Sequence, residues 1–233
     1  MSTGDFDVRS LAIYLHTTPD RVLRLAERGN IPGRKVGGQW RFSRAEIHHW
    51  LERRMGVSDD AELAAMEDTL APQNASTPSL SVADMLPVEA IEIPLQARTK
   101  NSVIRRMVEL AANTGWLWDV DAMADAVAKR EELYPTALEN GAALLHPRRP
   151  MSSILGEAFL AFGRTARGIP FGSDRGVLTD CFFLICSVDD RGHLRTLARL
   201  SRLMANPYFL PQLREVDDPH EVRRLIADFE AKL

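Results

Sequence analysis

The run Cys181 to Val188, CFFLICSV, is apolar at every position except Ser187. A strand with one wet face alternates; this one does not, so it reads as a strand in a sheet covered by helices on both faces. The flanking sequence supplies those helices. Lys100 to Ala112 (KNSVIRRMVELAA) places Val103, Ile104, Met107, Leu110 and Ala111 on one face. Asp119 to Arg130 is a second helix. His193 to Met204 is a third, with Leu194, Leu197, Leu200, Leu203 and Met204 as its apolar stripe. Pro219 sits at the first position of a terminal helix, ahead of Val222, Leu225, Ile226 and Phe229. Ile154 to Arg164 is a second strand. Helices and strands interleaved in this way, from about residue 80 onward, predict an α/β sandwich.

The same run bounds other properties. It is far too short to span a bilayer, which takes about 20 apolar residues. Its two cysteines, Cys181 and Cys186, are the only ones in the chain. Five apart in one apolar run is a poor geometry for a disulfide or a metal site, so they read as buried thiols in a reducing cytoplasm. The opening residues, MSTGDFD, carry no basic segment followed by an apolar one, so no secretory signal is expected. With 233 residues and 45% apolar content the chain can build a real core, which excludes general disorder.

A formal net charge of −3 argues against a nucleic-acid partner only as an average. Residues 1–54 carry a net charge of +4, residues 55–97 carry −8 without one basic residue, and residues 98–233 carry +1. A small basic module is thus joined through an acidic segment to a nearly neutral larger domain. Ala71 to Pro78 (APQNASTP) has the composition of a linker, and Ser58 to Leu70 carries helix signals: a cap residue, acidic first-turn residues and strong helix formers. The predicted division is 1–54, a linker over 55–79, and 80–233.

In the basic module, Asp7 to His16 has Val8, Leu11, Ala12 and Leu15 at helical spacing. Thr18 is the expected N-cap of a second helix with Pro19 at its first position, ending before Gly29. Arg21, Arg24 and Arg28 share one face of it. In Ile31 to Phe42 (IPGRKVGGQWRF), Gly37-Gly38 between short alternating segments predicts a two-residue hairpin, decorated by Arg34, Lys35, Gln39 and Arg41. A last helix starts at Ser43, with Glu46 completing a capping box and Ile47, Trp50 and Leu51 facing inward. Helix, helix, basic hairpin and helix are the order of a winged helix-turn-helix.

Val8 to Leu51, with GRKVGGQWRFSRAEI, resembles the helix-turn-helix modules of the excisionase and MerR-like families. The resemblance implies binding to double-stranded DNA, with the second helix in the major groove and the wing on the backbone. The cations agree: Arg21, Arg24, Arg28, Arg34, Lys35 and Arg41 can pair phosphates or read guanine edges. Modules of this size reach useful half-site affinity as dimers, so a homodimer is the expected arrangement. His16, His48 and His49 read as bystanders.

The segment Lys129 to Pro150, KREELYPTALENGAALLHPRRP, resembles the type-2 EIIA domains of the sugar phosphotransferase system: the mannitol, fructose and nitrogen-regulatory kind. Arg130-Glu131, Pro135-Thr136, Asn140-Gly141 and an apolar strand Ala142 to Leu145 lead to His146. A second family histidine opens the helix after a buried strand, and here Cys181 to Val188 is followed by Asp189-Asp190-Arg191-Gly192-His193. The resemblance implies that His146 accepts a phosphoryl group from the histidine of phospho-HPr and hands it on. His193 would lie beside it, with Arg130 as charge partner and Thr136 as hydroxyl donor, and with no metal or cofactor. Leu145 and Pro147 stand where the family has Pro and Gly around its active histidine, and Arg148-Arg149 follow. His220 reads as structural.

Together these imply a cytoplasmic DNA-binding regulator whose EIIA-like domain couples phosphotransferase status to DNA binding. An EIIB component or a regulatory protein would be a further partner. Two alternatives stand beside it: a phosphocarrier proper, and an idle EIIA-like domain that only makes protein contacts.

Overall fold

The computed structural model describes residues 5–15, 17–44, 46–47, 50–51, 63–64, 81–173 and 175–233. The linker over 71–78, nearly all of the helix signal over 58–70, and His16, His48 and His49 lie outside the described residues.

The N-terminal module opens with β1 (Asp5–Phe6), α1 (Val8–Tyr14) and α2 (Pro19–Glu27). Asp7 caps α1: its carboxylate accepts the Ser10 amide at 2.7 Å while Ser10 Oγ accepts the Asp7 amide at 2.9 Å. Those Ser10 bonds hold the Asp7 carboxyl below its usual range. Thr18 caps α2 and Pro19 sits where its missing N–H costs nothing. β2 (Arg34–Val36) and β3 (Gln39–Ser43) form the wing hairpin. Gly37 and Gly38 both have positive φ, +60° and +79°, as its two-residue turn requires. β1, which the sequence pattern did not announce, pairs with β3 and makes the wing three-stranded. Positions 44, 46–47 and 50–51 are helical, and Trp50 Nε1 donates to the Asn30 carbonyl at 2.8 Å. Leu11, Val22, Phe42 and Ile47 are fully buried between these pieces.

The larger domain is a four-stranded sheet in the order β4-β6-β7-β5. The strands are β4 (Ile91–Glu92), β5 (Ala142–Leu145), β6 (Phe159–Pro170) and β7 (Leu178–Cys186). β6 and β7 are antiparallel, while β4 runs parallel to β6 and β5 parallel to β7. The period of two along each strand divides the core. Ala142, Leu144, Phe162, Cys181, Phe183 and Ile185 pack toward α5 (Asp190–Ala205), α6 (Phe209–Glu215) and α7 (Pro219–Glu230). Ala143, Leu145, Ala161, Phe182, Leu184 and Cys186 pack toward α3 (Lys100–Ala112) and α4 (Val120–Leu133). The unbroken apolar run is therefore two alternating sets, each with its own helical cover. Cys181 and Cys186, an odd number of residues apart, fall on opposite faces and are both free and buried. Burial pushes both thiols up, Cys181 to about 12.

Several boundaries move. The strand expected at Ile154 begins at Phe159, because the residues before it bond elsewhere. Leu155 bridges to Leu117, Trp118 N–H donates to the Ile154 carbonyl, and Gly156 N–H donates to the Trp116 carbonyl. At its other end β6 passes a register shift between Arg164 and Ile169 and continues to Pro170. The helix expected to open at His193 opens at Asp190, because Asp189 caps it, accepting the Gly192 amide at 2.8 Å. α6 and β4 had no sequence signal of their own.

Glu230, near the end of α7, closes the domain on its own beginning. Its carboxylate accepts the amides of Val82 and Ala83 at 2.8 and 3.0 Å and Arg199 Nε at 2.6 Å, while buried from solvent. Removing it leaves two amides and a guanidinium without their acceptor. Glu230→Ala is expected to lower the unfolding free energy by about 3 kcal/mol, read by urea denaturation.

Candidate functional site

The parallel register of β5 and β7 builds the site. Ala142 pairs with Cys181 and Leu145 with Leu184, so both strands end at the same edge of the sheet. His146 follows β5 directly. β7 runs on through Ser187 to the Asp189 cap, and His193 lies in the first turn of α5. Two histidines 47 positions apart in sequence thus meet, with ring centroids 4.9 Å apart and planes tilted by 56°. The carboxyl ends of strands are where α/β sheets place their ligand sites.

Both rings are buried, each 2% exposed. His146 Nδ1 lies 2.8 Å from the Leu144 carbonyl oxygen. A carbonyl only accepts, so Nδ1 carries the proton in the neutral ring and Nε2 carries the lone pair. His193 Nδ1 lies 3.2 Å from Ser187 Oγ, which fixes that ring against the end of β7. The pair is therefore oriented by one backbone carbonyl and one hydroxyl. Such a ring offers a nucleophilic nitrogen near neutral pH, held in one tautomer.

The approach to β5 is held from two sides. Gly141, with φ +89°, turns the chain into the strand, and a Cβ there would meet Arg214 Nη2 at 2.6 Å. Arg214 forks onto Asp180 at 2.7 and 2.8 Å and donates to the Asn140 carbonyl at 3.0 Å. On the other side of β5, Leu144 N–H donates to the Thr136 carbonyl at 3.3 Å. Thr136 is anchored by Glu131, whose Oε1 accepts both its amide, at 3.0 Å, and its hydroxyl. The other Glu131 oxygen faces Lys100 Nζ at 2.9 Å. In this arrangement the Thr136 hydroxyl is spent on Glu131. Arg130 is also buried and donates to the Tyr134 carbonyl at the end of α4. Arg148 and Arg149 are exposed just past Pro147.

In the basic module Arg21, Arg24, Arg28, Arg34 and Lys35 are exposed and Arg41 is half-buried. Arg34 pairs with Asp5 at 2.9 Å, Arg41 donates to Gln39 Oε1 at 3.2 Å, and Lys35 lies over the Trp40 ring at 5.3 Å. The α2 arginines keep the common face that their spacing predicts, and the wing carries the rest.

Glu131 and Ser187 escaped the reading of the sequence as site residues. Ser187 had a signal, being the one polar residue in CFFLICSV. Glu131 had only its place beside Arg130; nothing in the spacing shows that it clamps Thr136.

The family model for the phosphoenolpyruvate-dependent sugar phosphotransferase system EIIA 2 domain matches residues 84–229. The chain belongs to the EIIA type-2 family. A helix-turn-helix domain model matches residues 6–55, so a DNA-binding type of domain and an EIIA domain share one chain. The chain is similar to the fructose-specific EIIABC component of Bacillus subtilis, 27% identical over 149 residues, which are 63% of this chain and 23% of that protein. It is also similar to a nitrogen regulatory protein of Bradyrhizobium diazoefficiens, 29% identical over 151 residues, covering 64% of this chain and 95% of the relative. Its fold is that of the IIA-Ntr protein of Neisseria meningitidis (TM-score 0.56, 21% identity, 62% of this chain and 98% of that one). The mannitol IIA of Escherichia coli matches equally in kind (TM-score 0.54, 21% identity, 60% and 97%). Among the described residues no helix is long and apolar enough to cross a membrane.

Glu131→Ala is expected to free the Thr136 amide and hydroxyl and to remove the carboxylate partner of Lys100, whose ammonium keeps the Glu131 and Phe171 carbonyls, lowering the EIIA domain's stability by about 2 kcal/mol. Hydrogen exchange at the Thr136 amide reports it directly: protection unchanged in the variant contradicts the clamp.

Proposed function

We propose that this chain is a cytoplasmic DNA-binding regulator, divided into a reading head (1–54), a linker (55–79) and an EIIA domain (80–233), and that His146 is phosphorylated by phospho-HPr. The observation that carries the proposal is the oriented histidine pair. His146 Nε2 attacks the phosphorus of the donor phosphohistidine; its P–N bond forms as the donor's breaks, and the donor ring, protonated on its other nitrogen, leaves as neutral imidazole. The Leu144 carbonyl supports the charge that develops on the His146 ring through Nδ1–H. His193 stands beside the incoming group, and Arg130 is the motif's candidate for balancing its charge. No cofactor or metal is required. The phosphoryl group would then pass on or act as a signal. The Escherichia coli mannitol IIA has been seen in a complex with phosphorylated IIB, so an EIIB component is the corresponding second partner here.

An idle EIIA domain has two specific observations in its favour. Pro147 removes a backbone N–H directly after His146, and the Thr136 hydroxyl is already bonded to Glu131. Radiolabelled phosphate from phospho-HPr decides between them. Label is expected on the wild type and absent from His146→Ala; an unlabelled wild type, under conditions that label a control EIIA domain, leaves the idle reading.

For the head, six cations would give a salt slope of log K against log [salt] of about −5 if all contact phosphate. Arg21→Ala with Arg24→Ala is expected to flatten that slope by about 2 and weaken duplex binding. An unchanged slope would remove α2 from the interface.

A further inference from the structure

A corner of the head touches the EIIA domain at the first turn of α5. Arg44 Nη1 lies 3.6 Å from Asp190 Oδ2. The same guanidinium covers the rings of Phe6 and Tyr14, at 4.3 and 5.9 Å from their centroids, and those two rings contact each other at 4.8 Å. Burial, and then the charge of Asp190, push the Tyr14 hydroxyl up to about 12. The buried apolar side chains of the head and those beneath α5 belong to one continuous cluster. Asp190 follows the Asp189 cap, and His193, which faces His146, is three residues further on. That is about 4.5 Å along the helix axis.

We propose that the Phe6–Tyr14–Arg44 corner is an intramolecular docking surface for the N-terminus of α5, and that negative charge arriving at the His146–His193 pair tightens it. The second half rests on the reading of His146 as the phosphoryl acceptor.

The physical chemistry fits a reversible contact. Arg44 and Asp190 are both partly exposed, and such pairs are weak. A weak pair is easily tuned by a neighbouring charge. A phosphoryl group on His146 brings about −1.5 to −2 to the ring that faces His193, three residues along α5 from Asp190. Arg44 is held to that turn through Asp190 at 3.6 Å, and at physiological salt screening acts over about 8 Å. Docking does not bury the reading face: Arg21, Arg24 and Arg28 are exposed with the corner engaged. The contact therefore sets the orientation of the head rather than covering it. In a dimer, head orientation decides which half-site spacing can be spanned.

Backbone ¹⁵N relaxation of head amides in the full chain tests the docking. In the wild type the head is expected to tumble with the EIIA domain. Asp190→Arg is expected to loosen it and shorten the head's rotational correlation time, and Asp190→Arg combined with Arg44→Asp to restore the slow tumbling. A head that already tumbles independently in the wild type, or a charge swap that fails to restore, overturns the docking. The charge effect is tested without phosphate transfer, using His146→Asp and, as a variant at an already half-exposed position, Arg191→Glu. Each is expected to shift the salt midpoint of head release upward; a midpoint unchanged or lowered in both overturns the tightening. Failure of phospho-HPr to label the wild type would strike the phosphohistidine reading alone and leave both of these results standing.

Discussion

The parallel pairing of β5 with β7 is the constraint on which the rest depends. Parallel strands end at the same edge, so whatever follows each of them is delivered to one place. After β5 comes His146; after β7 come Ser187, the Asp189 cap and the first turn of α5 with His193. No local preference brings those rings within 4.9 Å of each other. The register does, and the packing of two helical layers on the two faces of the sheet fixes the register. A slip by one residue would exchange the two apolar sets and put every side chain of β5 on the wrong face.

Around that pairing the polar residues act as fasteners. Arg214 holds the Asn140-Gly141 turn at the entrance to β5, and Glu131 holds Thr136 alongside it. Glu230 ties the end of α7 to the residues that open the domain. Each of these carboxylates or guanidiniums is buried or half-buried and bonded to backbone as well as to side chains. Their value is positional: they leave the histidine pair as oriented groups at one edge of the sheet, the His146 tautomer set by the Leu144 carbonyl and the His193 ring positioned by Ser187. The basic head, by contrast, presents its cations to solvent on α2 and the wing, where long-range attraction to a phosphate backbone needs reach rather than fixity. The acidic residues at the start of α5 stand where the two meet, since Asp189 caps the helix of His193 while Asp190 faces Arg44.

Much of this was legible in the residues. Thr18-Pro19, Gly37-Gly38, Pro219 and the span Lys100–Ala112 correspond to observed caps, turns and helices because local backbone chemistry fixes them. Boundaries failed where tertiary hydrogen bonds intervene. The Ile154–Gly156 backbone is consumed by Trp116–Trp118, so the strand starts later, and Asp189 extends α5 backward beyond its apolar stripe. β1 and β4 are two-residue strands with no pattern of their own and exist only because a neighbour offers an edge.

The sequence by itself determined a basic head, an acidic segment and an α/β domain carrying two histidines after two strands. These follow from charge, period and turn chemistry, which act over a few residues. Only the tertiary structure decided how the two histidine rings are oriented, that Glu131 clamps Thr136, and that Arg44 reaches Asp190. Those contacts join residues far apart in the chain, and their geometry is set by sheet register and helix packing, which no local window contains.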